Sequence, residues 1–329
     1  MQYEIIAGQQ QIKNQLMQIS DSQQVAHGYL LEGPKGMRKT TLAKIFAQTL
    51  LCQKRTDRPC DSCSSCIKAN GGNHPDIQVM IFEADTIKRQ DLDHVIQWAY
   101  TKPYESQQKI MILQDIQKMT PQGANTFLKT LEEPPENTVL ILTTTQSSLL
   151  LPTIVSRCQV IRCEKNSRHE VAKWLQEKHS VTALEASVLA GYSKGVIQRA
   201  ISIKEGTLPL LDIREEVLEV IDQLLFGGKS APFEVSDYFE KRKDQIETIV
   251  ELMMIWFRDL LYVKMNGEEW LINQDKLVLL HKHSKKTNKD KCVNIIDDLQ
   301  QVYEDITGNV NFKLAIDHLL FKIQEVKHD

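Results

Sequence analysis

Four short runs in the first half of the chain are apolar at nearly every position: Gly28–Leu31 (GYLL), Ile77–Phe82 (IQVMIF), Ile110–Leu113 (IMIL) and Val139–Leu142 (VLIL). A strand with one face in water alternates polar and apolar residues. A strand covered on both faces has no reason to. Between these runs, apolar residues recur at helical spacing over Lys39–Leu51, Gln90–Tyr100 and Pro121–Leu131. Strands and helices in alternation predict an α/β domain, a parallel sheet with helices on both sides. A fifth short run, Gln159–Arg162, is expected to close that sheet.

After Cys163 the pattern turns almost wholly helical. Arg168–Lys178, Leu184–Leu189 and Val196–Ile203 read as a small helical segment, and Gly206–Pro209 as a linker. Five or so longer helices follow, among them Gln245–Lys264 and Phe312–Glu325. A chain of 329 residues suggests two or three domains. With 42% hydrophobic and 25% charged residues the composition is that of a soluble globular protein. A net charge of −3 supplies no broad basic field of the kind that autonomous nucleic-acid binders carry. No apolar run approaches the roughly 20 residues that span a bilayer. The opening MQYEIIAGQQQIK lacks the charged head and apolar core of a signal peptide, so a cytoplasmic location is expected. In that reducing compartment seven cysteines point to metal binding or buried thiols rather than disulfides.

The loop after the first strand, LEGPKGMRKTTLAK, is one residue away from a phosphate-binding loop of the form G-x-x-x-x-G-K-[ST]. Gly33, Lys39 and Thr40 are in place, and Gly36 lies within the loop, but the second glycine of the pattern is Arg38. In a working loop, backbone N–H groups and a helix N-terminus surround the phosphates. The lysine reaches the β- and γ-phosphates, and the hydroxyl holds Mg²⁺. A β-carbon before the lysine crowds that approach. An ATPase of this kind also needs an acidic pair at the end of a strand. The candidate stretch, KIMILQDIQKM, has Gln114 and Asp115 there. Two independent defects predict a loop that keeps the shape without hydrolysis, and leave open whether ATP is still held.

Cys52, Cys60, Cys63 and Cys66 fit C-x7-C-x2-C-x2-C. Four thiolates this close can surround a tetrahedral Zn²⁺ at about 2.3 Å each, a closed and therefore structural site. An insertion of this size has no core of its own, so the metal is expected to supply its folding energy. Ser156-Arg157-Cys158 follows LLLPTIV, at a point where an arginine can project towards a neighbouring subunit and complete its phosphoryl-transfer site. Cys158 and Cys163 read as buried thiols. Thr143, Thr144 and Thr145 end the fourth strand, where a hydroxyl can sense a phosphate. His281 and His283 lie in HKHSKKTNKDK, which reads as a solvated loop, and Trp256 reads as core.

Together these residues resemble the AAA+ clamp-loader subunits of bacterial DNA polymerase III. The resemblance is carried by AHGYLLEGPKGMRKTTLA, the four cysteines, HPDI, KPYESQQKIMIL, NTFLKTLEEPPENTVLILTTT, LLPTIVSRCQ, WFRDLL and NVNFKLAIDHLL, and it spans the whole chain. It implies an AAA+ α/β P-loop domain over residues 1–163 with a zinc module at 52–66. A small helical lid would follow at 164–206 and an all-α collar used for oligomerisation at 207–329. It further implies a place in a hetero-pentamer with gamma/tau and delta subunits. That assembly loads the sliding clamp onto primer–template DNA as part of the DNA-directed DNA polymerase (nucleotidyltransferase) holoenzyme. The defects at Arg38, Gln114 and Asp115 match the family's non-hydrolysing member, whose SRC arginine, here Arg157, faces a neighbour's nucleotide as an arginine finger. The lid position where a motor carries its own phosphate-sensing arginine falls on Gln198, with Arg199 one place away. Two alternatives stay open: an ATP-hydrolysing gamma/tau-type motor, and a zinc-dependent DNA-binding module.

Overall fold

The computed structural model describes residues 10–22, 25–54, 56–307 and 311–325. Most of the N-terminal stretch read for a signal peptide, residues 1–9, lies outside the described residues. So does part of the NVNFKLAIDHLL motif, at 309–310. Two compact units divide the chain: residues 1–170 with 195–198, and residues 171–194 with 199–329.

The first unit holds helix α1 (Gln10–Asp21), strand β1 (Gly28–Glu32), α2 (Lys39–Leu51), α3 (Ser64–Asn70), β2 (Ile77–Met80), α4 (Arg89–Ala99), β3 (Lys109–Leu113), α5 (Pro121–Glu132), β4 (Thr138–Thr144), the single turn α6 (Pro152–Val155) and β5 (Gln159–Arg162). The strands form one sheet in the order β2-β3-β4-β1-β5, and every pair is parallel. Side chains of a strand point alternately to opposite faces. Tyr29 and Leu31 of β1, Ile110 and Ile112 of β3, and Val139 and Ile141 of β4 pack with Leu16 of α1 and Leu42 and Phe46 of α2. Leu30, Met111, Leu113, Leu140 and Leu142 pack on the other face with Leu92 and Val95 of α4 and Phe127 and Leu131 of α5. Both registers of β1, β3 and β4 are buried, which is why their runs are apolar; at the sheet edges β2 is half-buried and β5 is exposed at Gln159 and Arg162. The sequence reading had no helix at α1, α3 or α6. α1 does carry apolar residues at helical spacing, Ile12, Leu16 and Ile19, among glutamines; α6 is a single turn, and α3 is a seven-residue helix capped by Cys63, whose sulfur accepts from the Cys66 N–H.

The second unit holds α7 (Arg168–His179), α8 (Ala183–Tyr192), α9 (Ile197–Lys204), α10 (Leu210–Phe226), α11 (Ala231–Lys241), α12 (Ile246–Lys264), α13 (Leu277–Ser284), α14 (Lys289–Thr307) and α15 (Phe312–Glu325), with the ends of α7 and α9 in the first unit. α12 is the central helix, packed on α10, α13 and α14. The WFRDLL motif lies within it. Trp256, Phe257 and Leu260 are core, while the fully buried Asp259 accepts from the N–H groups of Ile272 (3.0 Å) and Asn273 (2.8 Å) and from Asn273 Nδ2 (2.9 Å). One carboxylate thus pins the connection between α12 and α13. No helix among the described residues is long and apolar enough to cross a membrane.

The solvated loop expected at HKHSKKTNKDK is corrected by the structure. Residues 277–284 are helical and His283 is fully buried. Its Nδ1 accepts from the Trp256 indole N–H at 3.1 Å, and its Nε2 lies 3.0 Å from Asp222 Oδ1. An indole N–H can only donate, so Nε2 carries the proton and donates to Asp222. Burial pushes the His283 pKa down, against the pull of Asp222. Eight residues are too few to show a helical period beside so many lysines, so the run looked polar and irregular.

HPDI and KPYESQQKI meet in the first unit. Burial alone would raise the Asp76 carboxyl, but the N–H groups of Tyr104 (2.6 Å), Glu105 (3.0 Å) and Ser106 (2.8 Å) outweigh it and hold the group below its usual range. The buried Lys109 donates to the carbonyls of Trp98 and Thr101 and lies 3.7 Å from the Trp98 ring centroid. Replacing Asp76 by Ala strands three amides, and a loss of about 3 kcal/mol is expected in denaturant unfolding. A carboxyl depressed in the folded state stabilises fully above about pH 4 and loses that contribution as pH falls through its folded value. Asp76→Asn should therefore flatten the acid side of the stability curve.

Candidate functional site

Three groups of residues carry chemistry: the loop after β1, the four cysteines, and the arginine ahead of β5. In an open parallel sheet, ligands bind beyond the carboxyl ends of the strands, where the strand order reverses. β1 lies between β4 and β5, and the loop Gly33–Arg38 leaves its carboxyl end for the N-terminus of α2. Gly33 is required there by packing alone. A Cβ at that position would come within 2.6 Å of the Cys163 carbonyl oxygen and 2.8 Å of the Cys163 Cβ. Gly36 has φ +88°, which only glycine adopts without strain. Arg38, exposed, has φ 52° and ψ 35°, so its backbone keeps the left-handed conformation suited to a glycine although the residue is an arginine. For a residue with a Cβ this costs about 1–2 kcal/mol.

The side chains of Lys39 and Thr40, which open α2 after the loop, are turned onto the protein itself. Lys39 is 7% exposed, and its Nζ donates to the carbonyls of Gly33 (2.7 Å) and Pro34 (3.0 Å). Burial lowers its pKa, with Asp115 and Cys163 pulling the other way. Thr40 Oγ1 donates to Gln114 Oε1 at 2.9 Å. Gln114 Nε2 in turn reaches Asp115 Oδ2 at 3.2 Å, and the Asp115 N–H donates to Thr143 Oγ1 at 3.0 Å. The structure thus brings Lys39, Thr40, Gln114, Asp115 and Thr143 together at one edge of the sheet. Beside Thr40, where a metal-organising carboxylate would stand, is a neutral amide. Thr144 is buried and accepts from the Gln146 N–H, and Thr145 is half-buried at the bend that follows. At the position read for a lid arginine, the Gln198 Oε1 is buried without a hydrogen-bond partner. Arg199 donates from Nε to the Tyr192 carbonyl at 3.0 Å, with Glu251 3.9 Å from its Nη2.

The four cysteines converge. Cys52 follows the end of α2, Cys60 lies in the connecting loop, Cys63 caps α3 and Cys66 lies in its first turn. Their sulfurs all lie within 4.8 Å of one another, and Cys60 and Cys66 stand at 3.9 Å. Four ligands at about 2.3 Å around a tetrahedral ion have sulfurs about 3.8 Å apart. The set can therefore hold a metal ion with little adjustment. The Cys63 N–H points to the Cys60 sulfur (3.3 Å) and the Cys66 N–H to the Cys63 sulfur (3.4 Å), bonds that favour thiolate. Hydrogen bonds from Ser62 hold the Cys60 thiol down at about 5, while burial pushes Cys52 and Cys66 up. Gln48 of α2 ties the insertion to the domain through Asp61 Oδ1 (3.1 Å) and the Cys66 carbonyl (3.3 Å). The remaining cysteines are inert by comparison. Burial raises Cys158 to about 12 and Cys163 to about 11, and Cys292 is fully buried.

Arg157 follows α6 and precedes β5. Its carbonyl oxygen would lie 3.3 Å from a Cβ at Gly28, the first residue of β1. It therefore sits at the amino edge of the sheet, whereas the loop leaves the carboxyl edge. β1 has five residues, and at the strand rise of about 3.3 Å it puts about 13 Å between the two edges. The guanidinium Nη2 pairs with Glu132 Oε1 at 2.7 Å and Nη1 donates to the Thr153 carbonyl at 2.9 Å. Sequence reasoning did not find Glu132. Its only signal was a glutamate pair at the end of α5, in LKTLEEPPENT, with nothing to say which carboxylate meets the arginine.

Two family models match the chain, "DNA polymerase III, delta subunit" over residues 8–167 and "DNA polymerase III, delta subunit, C terminal" over residues 209–325. The DNA polymerase III subunit delta' of Bacillus subtilis is 28% identical over 309 residues, covering 93% of this chain and 93% of that protein. Its counterpart in Haemophilus influenzae is 28% identical over 250 residues, 74% of each chain. The DNA polymerase III subunit tau of Bacillus subtilis is 25% identical over 358 residues, covering 99% of this chain but 62% of that protein.

Proposed function

Since the chain belongs to the delta-prime family of DNA polymerase III clamp-loader subunits, we propose that it is a non-hydrolysing clamp-loader subunit that donates Arg157 to the ATP site of a neighbouring subunit. The observation that carries this reading is the placement of Arg157. It lies at the sheet edge opposite its own loop, beyond the reach of an arginine side chain, so a phosphate it serves belongs to another chain. An arginine supplied in this way stabilises the charge that develops on the transferring phosphoryl group. The subunit's own loop supports the same division of labour. Lys39 donates to backbone carbonyls of its own loop, and Thr40 faces the Gln114 amide where Mg²⁺ would need a carboxylate.

The supporting parts follow from this role. Zn²⁺ at Cys52, Cys60, Cys63 and Cys66 closes the insertion and holds it to α2, with no open position for catalysis. The α/β domain (1–163) carries the arginine, the helical segment (164–206) serves as a lid, and the helical remainder (207–329) is the collar that assembles with gamma/tau and delta subunits. Clamp and primer–template DNA are met through that complex, in the cytoplasm.

The test is ATP binding and hydrolysis by the isolated, zinc-replete protein beside a Lys39→Ala control. No turnover is expected, with Lys39→Ala indistinguishable from the parent. Binding without turnover would make the loop a structural nucleotide site. Lys39-dependent turnover would overturn the reading in favour of the gamma/tau-type motor, which the likeness to tau keeps as the second candidate. A DNA-binding zinc module would instead show salt-sensitive DNA binding by the lone subunit that disappears with the cysteines. The net charge of −3 argues against it.

A further inference from the structure

The pair formed by Arg157 and Glu132 joins two elements that are distant in sequence, the end of α5 and the turn after α6. Two nitrogens of the guanidinium are fixed by acceptors of different kinds, the Glu132 carboxylate and the Thr153 backbone carbonyl. A guanidinium has five N–H donors in a planar fork, so most of them remain free for a phosphate while the plane is held. The arginine is 34% exposed and the glutamate 47%. An ion pair so exposed adds little to folding stability. Its effect is on geometry, because it selects one rotamer of a long side chain at the surface where a partner subunit would dock.

We infer that Glu132 is a positioning residue for Arg157, holding the guanidinium in the orientation in which it meets the neighbouring subunit's phosphate. This rests on the reading of Arg157 as the donated arginine. An arginine without this hold must be ordered at every engagement, which costs on the scale of freezing one side chain, about tenfold in rate. The carboxylate acts through the arginine and does not touch the nucleotide, so its loss moves kcat and leaves the KM for ATP in place.

The experiment is steady-state ATP hydrolysis by the assembled clamp loader on primed DNA, with this subunit as parent, Glu132→Ala, Glu132→Gln, Arg157→Ala and the double variant Glu132→Ala/Arg157→Ala. The expected result is an about tenfold fall in kcat for Glu132→Ala with KM unchanged. Glu132→Gln, whose amide oxygen still accepts, should lose less, and Glu132→Ala should cause no further loss once Arg157 is gone. If Arg157→Ala lowers turnover but Glu132→Ala leaves or raises it, the positioning role is overturned while the arginine's role stands. A Glu132→Ala loss that persists in full on the Arg157→Ala background also overturns it, since the glutamate then acts by another route. If Arg157→Ala changes nothing, the donated-arginine reading itself fails and this inference with it.

Discussion

Arg157→Ala in an otherwise intact clamp loader is expected to lower ATP turnover at the one site it serves by up to about 10³-fold, the scale on which arginine fingers act. Assembly should survive. The side chain lies at the surface, partly exposed, and bonds Glu132 and the Thr153 carbonyl. The substitution leaves Glu132 in water, so the folding cost stays within about 1 kcal/mol. Single-turnover hydrolysis separates the served site from the others, which should be unaffected. Arg157→Lys should recover only a part, because an ammonium keeps the charge but lacks the planar fork that can bridge two phosphate oxygens. Unchanged single-site turnover with Arg157→Ala would remove the arginine from the mechanism.

Loss of the metal is expected to have the second-largest effect, on stability rather than turnover. Among the described residues from Cys52 to Cys66 the buried ones are Cys52, Pro59, Ser65 and Cys66, too few to form a core. Binding free energy at a site of this kind is folding free energy. Cys63→Ser removes one sulfur and also the cap of α3, so metal content should fall from about one ion per chain to near zero, with a lower melting temperature. Strong chelation of the parent should expose four of the seven thiols to a thiol reagent. Cys158, Cys163 and Cys292 should stay slow, since burial holds them protonated. A folded, metal-free Cys63→Ser variant with unchanged melting would contradict the structural role.

Much of the fold was legible because both faces of the sheet are buried. The central strands β1, β3 and β4 are under that constraint and show as nearly unbroken apolar runs, and all five runs became strands in one parallel sheet. Of the helices missing from the sequence reading, α3, α6 and α13 are too short to show a period, whereas α1 carries one at Ile12, Leu16 and Ile19 within a glutamine-rich stretch. His283 makes the point clearly. In sequence it stands among lysines, and only the packing of α13 against α12 places it between Trp256 and Asp222.

For the site, sequence determined which groups are present: a loop with Arg38 for glycine, Gln114 for a carboxylate, four cysteines at metal-binding spacing, and an arginine after the fourth strand. These are statements about chemistry at positions, and a sequence contains them in full. The tertiary structure alone decided where each group faces. It turned Lys39 onto its own loop, gave Gly33 a packing reason independent of any nucleotide, and brought four sulfurs within 4.8 Å. It also set Arg157 at the opposite edge of the sheet beside Glu132. The reason is physical. Which donor meets which acceptor depends on long-range packing between α5, α6 and the strands, and residues 25 positions apart in the chain carry no local signal that they will touch.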